Sequence, residues 1–270
     1  MSSLFELQDV CFDYEGIPAL RSLSLKVEQG QRIALVGANG SGKSTLLRLL
    51  DALCFPTRGQ VTFCGEALTQ NHLRDDAFSS VFRRRVALVF QNPDVQLFNP
   101  TVFDEIAFGP LQLGLDRQEV LQRIEETLQF IGIDHLRDRP PYRLSGGEKR
   151  KVALASVLVM QPDVLLLDEP TAALDPKSQS QVVDLIQGWK NSHTTVITAT
   201  HQLDLLEDIA DLLYVMEQGN VVATARPSEI LTDRKLLLRA NLVHEHRHAH
   251  GTVIHSHPHD HRHKHPHEEG

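Results

Sequence analysis

Four short runs with few or no charged positions punctuate the chain: Ile33-Ala34-Leu35-Val36, Val86-Ala87-Leu88-Val89-Phe90, Val164-Leu165-Leu166-Leu167 and Thr195-Val196-Ile197-Thr198. Runs of this length, closed by turn or charged residues, read as buried strands of an α/β core. A different pattern precedes the first of them. Leu23, Leu25 and Val27 alternate with Ser24, Lys26 and Glu28, the period of a half-buried strand. Residues 4–36 are therefore expected to be short strands, with a further strand at Val61-Thr62-Phe63 after the Pro56 and Gly59 turn. The polar stretch 67–84 is expected to be looped. Apolar residues at helical spacing (Val120, Ile124, Leu128, Ile131) and caps at Thr101 and Asp116 mark residues 95–144 as a helical insertion. Gly109-Pro110 is expected to stop its first helix. A hairpin over 212–223, turning at Gly219-Asn220, closes the domain.

The chemistry sits where these runs end. Ile33–Val36 feeds Gly37-Ala38-Asn39-Gly40-Ser41-Gly42-Lys43-Ser44, and Thr45 begins a helical pattern. Strand, glycine turn and helix in this order make a phosphate-binding loop. Its backbone N–H groups form a nest for an anion, and the helix adds its positive end. Lys43 suits the β- and γ-phosphates of a nucleoside triphosphate, and the Ser44 hydroxyl suits Mg²⁺. Asp168 and Glu169 follow the third run directly, which fits a Mg²⁺ ligand and an activator of water. His201 follows the fourth, and Gln91 exits the second toward the same site. Ser145 and Glu148 have capping-box spacing around Gly146-Gly147. They read either as an ordinary helix cap or as a second helix-terminal anion grip. Tyr14 is open in the same way, between a strand-face residue and a platform for an adenine ring. The run Arg83-Arg84-Arg85 reads as a solvated face.

Composition narrows the class. With 270 residues, 41% of them hydrophobic, the chain can bury one large core. A net charge of −8 gives no basic field for nucleic acid. The longest nearly unbroken apolar run, residues 152–160, is nine residues long. A membrane-spanning helix needs roughly 20, so no crossing is expected, and no basic-then-apolar leader opens the sequence. Cys11, Cys54 and Cys64 lack metal-ligand spacing and read as reduced buried thiols of a cytosolic protein.

Taken in order, the phosphate loop, Gln91, Leu144-Ser145-Gly146-Gly147-Glu148, Asp168-Glu169, Ala173-Leu174-Asp175 and His201 resemble the ATP-binding subunits of ABC transporters. The match covers residues 4 to about 235, and the Leu-Ser-Gly-Gly-Glu run separates this family from other phosphate-loop proteins. The resemblance implies a phosphate-loop core with an antiparallel β subdomain and the helical insertion. It also implies Tyr14 stacking on adenine, ATP and Mg²⁺ as ligands, and a head-to-tail pair of cassettes. In that pair Ser145, Gly146 and Gly147 of one chain face the phosphate loop of the other. Glu169 would polarise water, His201 would contact the γ-phosphate, and Gln91 would sense metal and water. Membrane-embedded subunits would dock near residues 92–110, placing the chain on the cytoplasmic face of the membrane. The run Gln91-Asn92-Pro93-Asp94-Val95-Gln96-Leu97-Phe98 is similar to the energy-coupling factor branch, which imports vitamins, cobalt or nickel.

Residues 236–243 end a C-terminal helix, and 244–270 read as a disordered tail, too polar and Pro-interrupted for a core. His244, His246, His248, His250, His255, His257, His259, His261, His263, His265 and His267 alternate along it. An expression tag, a solubilising extension and a weak metal-buffering segment all fit. Imidazoles are largely neutral at pH 7 and suit nickel, cobalt, zinc or copper. Import of nickel or cobalt is the leading expectation. Vitamin import, a soluble non-transport ABC protein and metal storage are its rivals.

Overall fold

The computed structural model describes residues 3–172, 174–190 and 192–243, together with the backbone of 245–250 and 253–258. Strands β1 (Ser3–Tyr14), β2 (Ile17–Glu28) and β3 (Arg32–Val36) lead into helix α1 (Lys43–Leu50). Strands β4 (Arg58–Phe63) and β5 (Glu66–Ala67), helix α2 (Asp76–Arg85) and strand β6 (Val86–Val89) follow. Helices α3 (Val102–Gln112), α4 (Arg117–Ile131) and α5 (Gly146–Leu158) precede β7 (Val164–Asp168), α6 (Pro176–Gly188) and β8 (Thr195–Thr200). Helix α7 (Leu206–Ile209), strands β9 (Leu212–Glu217) and β10 (Asn220–Ala225), and helices α8 (Pro227–Thr232) and α9 (Arg234–Arg239) complete the domain.

Two sheets carry the fold. One is antiparallel, in the order β2-β1-β4-β5; the other runs β10-β9-β3-β8-β7-β6. In the second, β6, β7, β8, β3 and β9 are mutually parallel and only β10 is antiparallel. Parallel strands covered on both faces explain the unbroken apolar runs. Every residue of β3, β7 and β8 is buried. Leu23, Leu25 and Val27 face the core of the antiparallel sheet while Ser24 and Lys26 face out, as the alternation requires.

Several expectations need correction. The cysteines are not buried thiols: Cys11 and Cys54 are half-buried and Cys64 is exposed. The segment 67–84 is not a loop throughout, since α2 occupies its second half. Asp75 caps α2 by accepting from the N–H groups of Ala77 and Phe78, and Phe82 is fully buried. Burying such a side chain stabilises by about 2 kcal/mol, enough to order a short polar helix. The three arginines are not merely solvated. Arg83 donates to the Asp51 carbonyl, Arg84 to the Leu113 carbonyl, and Arg85 pairs with Asp163 while lying over the Phe63 ring. Nor does Gly109-Pro110 stop α3, which runs to Gln112 with Pro110 inside its last turn. A Cβ on Gly109 would sit 2.7 Å from Met160 Sδ, so this glycine serves close packing instead.

Where a tail without regular structure was expected, the strands Glu245–His250 and Val253–Pro258 pair antiparallel. Their register sets His246 opposite His257 and His248 opposite His255. The side chains of those residues and of His250, and all of His244, His259, His261, His263, His265 and His267, lie outside the described residues, as does Ala173. Among the described residues, no helix is long and apolar enough to cross a membrane.

Candidate functional site

The site forms at the carboxyl ends of β3, β7 and β8, where open α/β sheets place ligands. Gly37 leaves β3 in a position only glycine can fill. A Cβ there would meet the Met216 carbonyl at 2.3 Å and Ser41 Oγ at 2.6 Å. Gly42, at φ +104°, turns the chain into α1, and a Cβ would clash with the Ala19 carbonyl at 2.8 Å. Asn39 and Gly40 are exposed, Ala38 is half-buried and Thr45 is buried. Among the described residues the buried Ser41 hydroxyl has no hydrogen-bond partner.

Lys43 is buried and folds back on its own loop, donating to the carbonyls of Gly37 (2.7 Å) and Ala38 (3.1 Å). Burial lowers its ammonium pKa, and the charges of Glu169 and Asp168 partly restore it. An anion at the loop would supply the opposite charge that carbonyls supply only as dipoles.

Ser44 Oγ donates to Asp168 Oδ1 at 3.0 Å. Burial raises the pKa of Asp168, while the Ser44 hydrogen bond opposes that shift. A hydroxyl and a buried carboxylate converging at a phosphate loop are hard oxygen donors, the set that Mg²⁺ takes. The residues present fit that ion.

Glu169 stands next in the chain with φ +48°, a left-handed conformation costly for a residue with a Cβ. The fold holds it there from four sides. Its N–H donates to the Ala199 carbonyl at 2.9 Å, and its carbonyl accepts from Arg150 at 3.0 Å and from the Ala172 N–H at 3.2 Å. Its Oε1 lies 2.9 Å from His201 Nδ1. Among the described residues, Oε2 is buried without a hydrogen-bond partner. The His201 contact therefore leaves Oε2 as the oxygen of this carboxylate not engaged by the imidazole.

Tyr14 is 42% exposed at the end of β1. Its hydroxyl lies 3.4 Å from Thr45 Oγ1 and accepts from Arg48 at 3.1 Å, so the ring borders the loop. Gln91 is exposed two residues beyond Val89, which pairs with Leu167. It follows closely on the carboxyl end of β6. The structure thus gathers Tyr14, residues 37–45, Asp168, Glu169 and His201, with Gln91 exposed just past the end of β6.

Ser145, Gly146 and Gly147 are not gathered there. Ser145 makes a full capping box with Glu148, its hydroxyl accepting from the Glu148 N–H at 3.3 Å and its own N–H donating to Glu148 Oε2 at 2.8 Å. Among the described residues no hydrogen bond joins these three to the phosphate loop, and Ser145 and Gly146 are exposed. The nearest side chains to Gly147 belong to Ser178, Asp175 and Leu174.

Two site residues escaped the sequence reading. Gln96 accepts from the Phe90 N–H (3.2 Å) and donates to the Ala153 carbonyl (2.9 Å) and Ser156 Oγ (3.1 Å). It fastens the Gln91 segment to α5. Arg150 is buried against Glu169. Its signal was present, because Arg150 shares helical spacing with buried Ala153, Leu154 and Val157.

Comparison with known proteins identifies the family. A family model described as ABC transporter matches residues 20–172. The nickel import ATP-binding protein NikO of Rhodobacter capsulatus is 51% identical over 246 residues, covering 90% of this chain and 97% of its own. Among solved structures, cbiO1 from Clostridium perfringens, part of the ABC transporter complex cbiONQ, superposes with a TM-score of 0.75 at 32% identity over 90% of this chain and 96% of that one. The dimeric structure of MJ0796, a bacterial ABC transporter cassette, gives a TM-score of 0.74 at 26% identity over 83% and 98%.

Proposed function

We propose that this chain, which belongs to the ABC transporter family, hydrolyses ATP to drive import of a transition-metal ion, nickel or cobalt, through separate membrane subunits. The observation that carries the catalytic part is the Glu169 carboxylate, tethered by His201 and free at Oε2, one residue from the Ser44–Asp168 pair. Phosphates in the loop would draw Lys43 off its carbonyls, and the exposed ring of Tyr14 would stack on the adenine. Ser44, Asp168 and Gln91 would hold Mg²⁺, which when bound neutralises charge on the phosphates. Water attacks the γ-phosphorus as the bond to the β-phosphate oxygen breaks. Glu169 Oε2 takes the proton of that water. His201 Nδ1 keeps Glu169 oriented and leaves the other ring nitrogen for the γ-phosphate.

Two copies would share each site. The exposed capping box at Ser145, which among the described residues makes no hydrogen bond to its own loop, supports this, because a helix N-terminus opening on Gly146 and Gly147 suits the phosphates of a partner's nucleotide. The dimeric cassette of MJ0796 supports it as well. Close to the Gln91 segment, Val95, Phe98, Phe108 and Leu111 are exposed, with the two rings edge-on at 5.0 Å. Exposed large apolar groups in one neighbourhood suit a docking surface, and here the membrane subunits would sit, holding the chain at the cytoplasmic face. ATP-driven pairing then moves this surface, which is how ligand binding biases a two-state transporter.

Similarity to NikO and the histidine tail support a metal substrate. The tail's many imidazoles are a ligand type that nickel and cobalt accept. The tail would buffer or hand over metal at the exit rather than catalyse.

Sedimentation of the Glu169→Gln chain tests the shared site. With ATP and Mg²⁺ it should move from monomer to dimer, and with ADP it should not. Identical monomer profiles would overturn the shared-site reading.

A further inference from the structure

Arg150 stands in a position that the catalytic scheme leaves unused. It lies on α5, whose first turn carries Ser145 and Gly147, about 7.5 Å along the axis at 1.5 Å per residue. Its side chain does not reach solvent; the residue is 6% exposed. One terminal nitrogen donates to the Glu169 carbonyl at 3.0 Å, and the other reaches the Ala172 carbonyl at 3.5 Å. Among the described residues its Nε is buried without a partner. Burial of a guanidinium is costly and is tolerated when charges and hydrogen bonds compensate it. Asp168 and Glu169 supply the compensating charge. The carbonyl it grips belongs to the residue whose left-handed φ must be held by its surroundings.

We propose that Arg150 is a positioning residue that makes Glu169 responsive to the partner's nucleotide. In a shared dimer, Ser145 of this chain meets the ATP held by the partner's loop, whereas Glu169 serves the ATP held by this chain's own loop. One rigid helix therefore touches both sites. Engagement of the partner's nucleotide at the start of α5 sets Arg150, and Arg150 sets the backbone of Glu169. The two sites then fire together because each glutamate is aligned only when the other nucleotide is in place. This inference rests on the shared-site reading above.

Mixed dimers of two differently tagged full-length chains separate this role from a general structural one. One chain keeps Glu169 and the other carries Glu169→Gln, so a single site turns over. Arg150→Met on the chain that keeps Glu169 should lower turnover about tenfold or more, as loss of alignment does, and the same change on the other chain should cost distinctly less. Nucleotide affinity should be preserved in both. Arg150→Lys, which retains the charge on a single donor nitrogen, should fall between, and it serves if the Met variant does not fold. Wild-type homodimers should show cooperative ATP dependence that Arg150→Lys flattens. Equal losses in the two placements, or a greater loss opposite Glu169, would overturn the proposal. Failure of ATP to pair any of the chains would instead overturn the shared-site reading, and this inference with it.

Discussion

His201 Nδ1 and Glu169 Oε1 lie 2.9 Å apart, one side chain half exposed and the other buried. The bond fixes which oxygen of Glu169 stays available, and it ties the carboxyl end of β7 to that of β8. His201→Ala should leave ATP binding intact while lowering kcat, since the carboxylate could then rotate. Glu169→Gln should lower kcat further, by about 10²–10⁴-fold, the range of a lost general base. Steady-state kinetics of the two variants checks the order. A His201→Ala enzyme with normal kcat would contradict the orienting role.

The Ser44–Asp168 hydrogen bond makes a prediction about magnesium and pH. Ser44→Ala and Asp168→Asn should both raise the Mg²⁺ concentration needed for half-maximal turnover, with the loss of the carboxylate costing more. Asp168 must be ionised to hold the ion, and burial favours its protonated form. Activity should therefore fall on acidification at a higher pH than an exposed aspartate would dictate. Excess Mg²⁺ should push that fall to lower pH, because the metal competes with the proton. A pH profile insensitive to Mg²⁺ would contradict the assignment.

Much of this site was legible before any fold was known. The phosphate loop, Asp168-Glu169 and the Ser145–Glu148 box are local patterns, fixed by a strand end and the next helix start, and sequence carries such patterns whole. Arg150 was not singled out, because it sits between Lys149 and Lys151 and resembles a solvated run; only its helical phase betrays burial. Gln96 bonds to residues 57 and 60 positions away, a separation that no local pattern encodes. Helix α2 was missed for a related reason. Its polar surface hides a single buried face, formed once Phe63 and Phe82 meet edge-on at 5.2 Å.

Asp51, at the end of α1, gives a stability test away from catalysis. Burial raises its pKa to about 7, with Arg83 only partly opposing. The unfolded carboxyl titrates near 3.9. Between those values the folded chain binds the extra proton, so this group's contribution is full below about pH 4 and is lost as pH rises through about 7. Asp51→Asn removes the effect. Urea unfolding at pH 5 and pH 8 should show the wild type losing more stability than Asp51→Asn, by about 1–3 kcal/mol. Parallel losses would contradict a buried, reluctantly charged Asp51.

Deleting residues 244–270 should leave the ATPase rate of the cassette close to normal, since no residue assigned to the site lies beyond His201. Titration calorimetry with Ni²⁺ should show several weak sites in the full chain that are absent from the truncated one. Their occupancy should decline below about pH 6.5 as the imidazoles protonate. Equal stoichiometry in the two chains would mean that the tail serves only to solubilise.

ATP-driven passage of a transition metal is the centre of this account, and uptake measures it directly. The chain would be purified with its native membrane subunits and placed in proteoliposomes with the cassette facing ATP and Mg²⁺. Radioactive nickel and cobalt would be offered on the opposite face. One of the two metals should be transported with wild-type protein and not with Glu169→Gln, although both assemblies bind ATP. Metal flux that persists with Glu169→Gln, or transport of a vitamin in place of either metal, would contradict it.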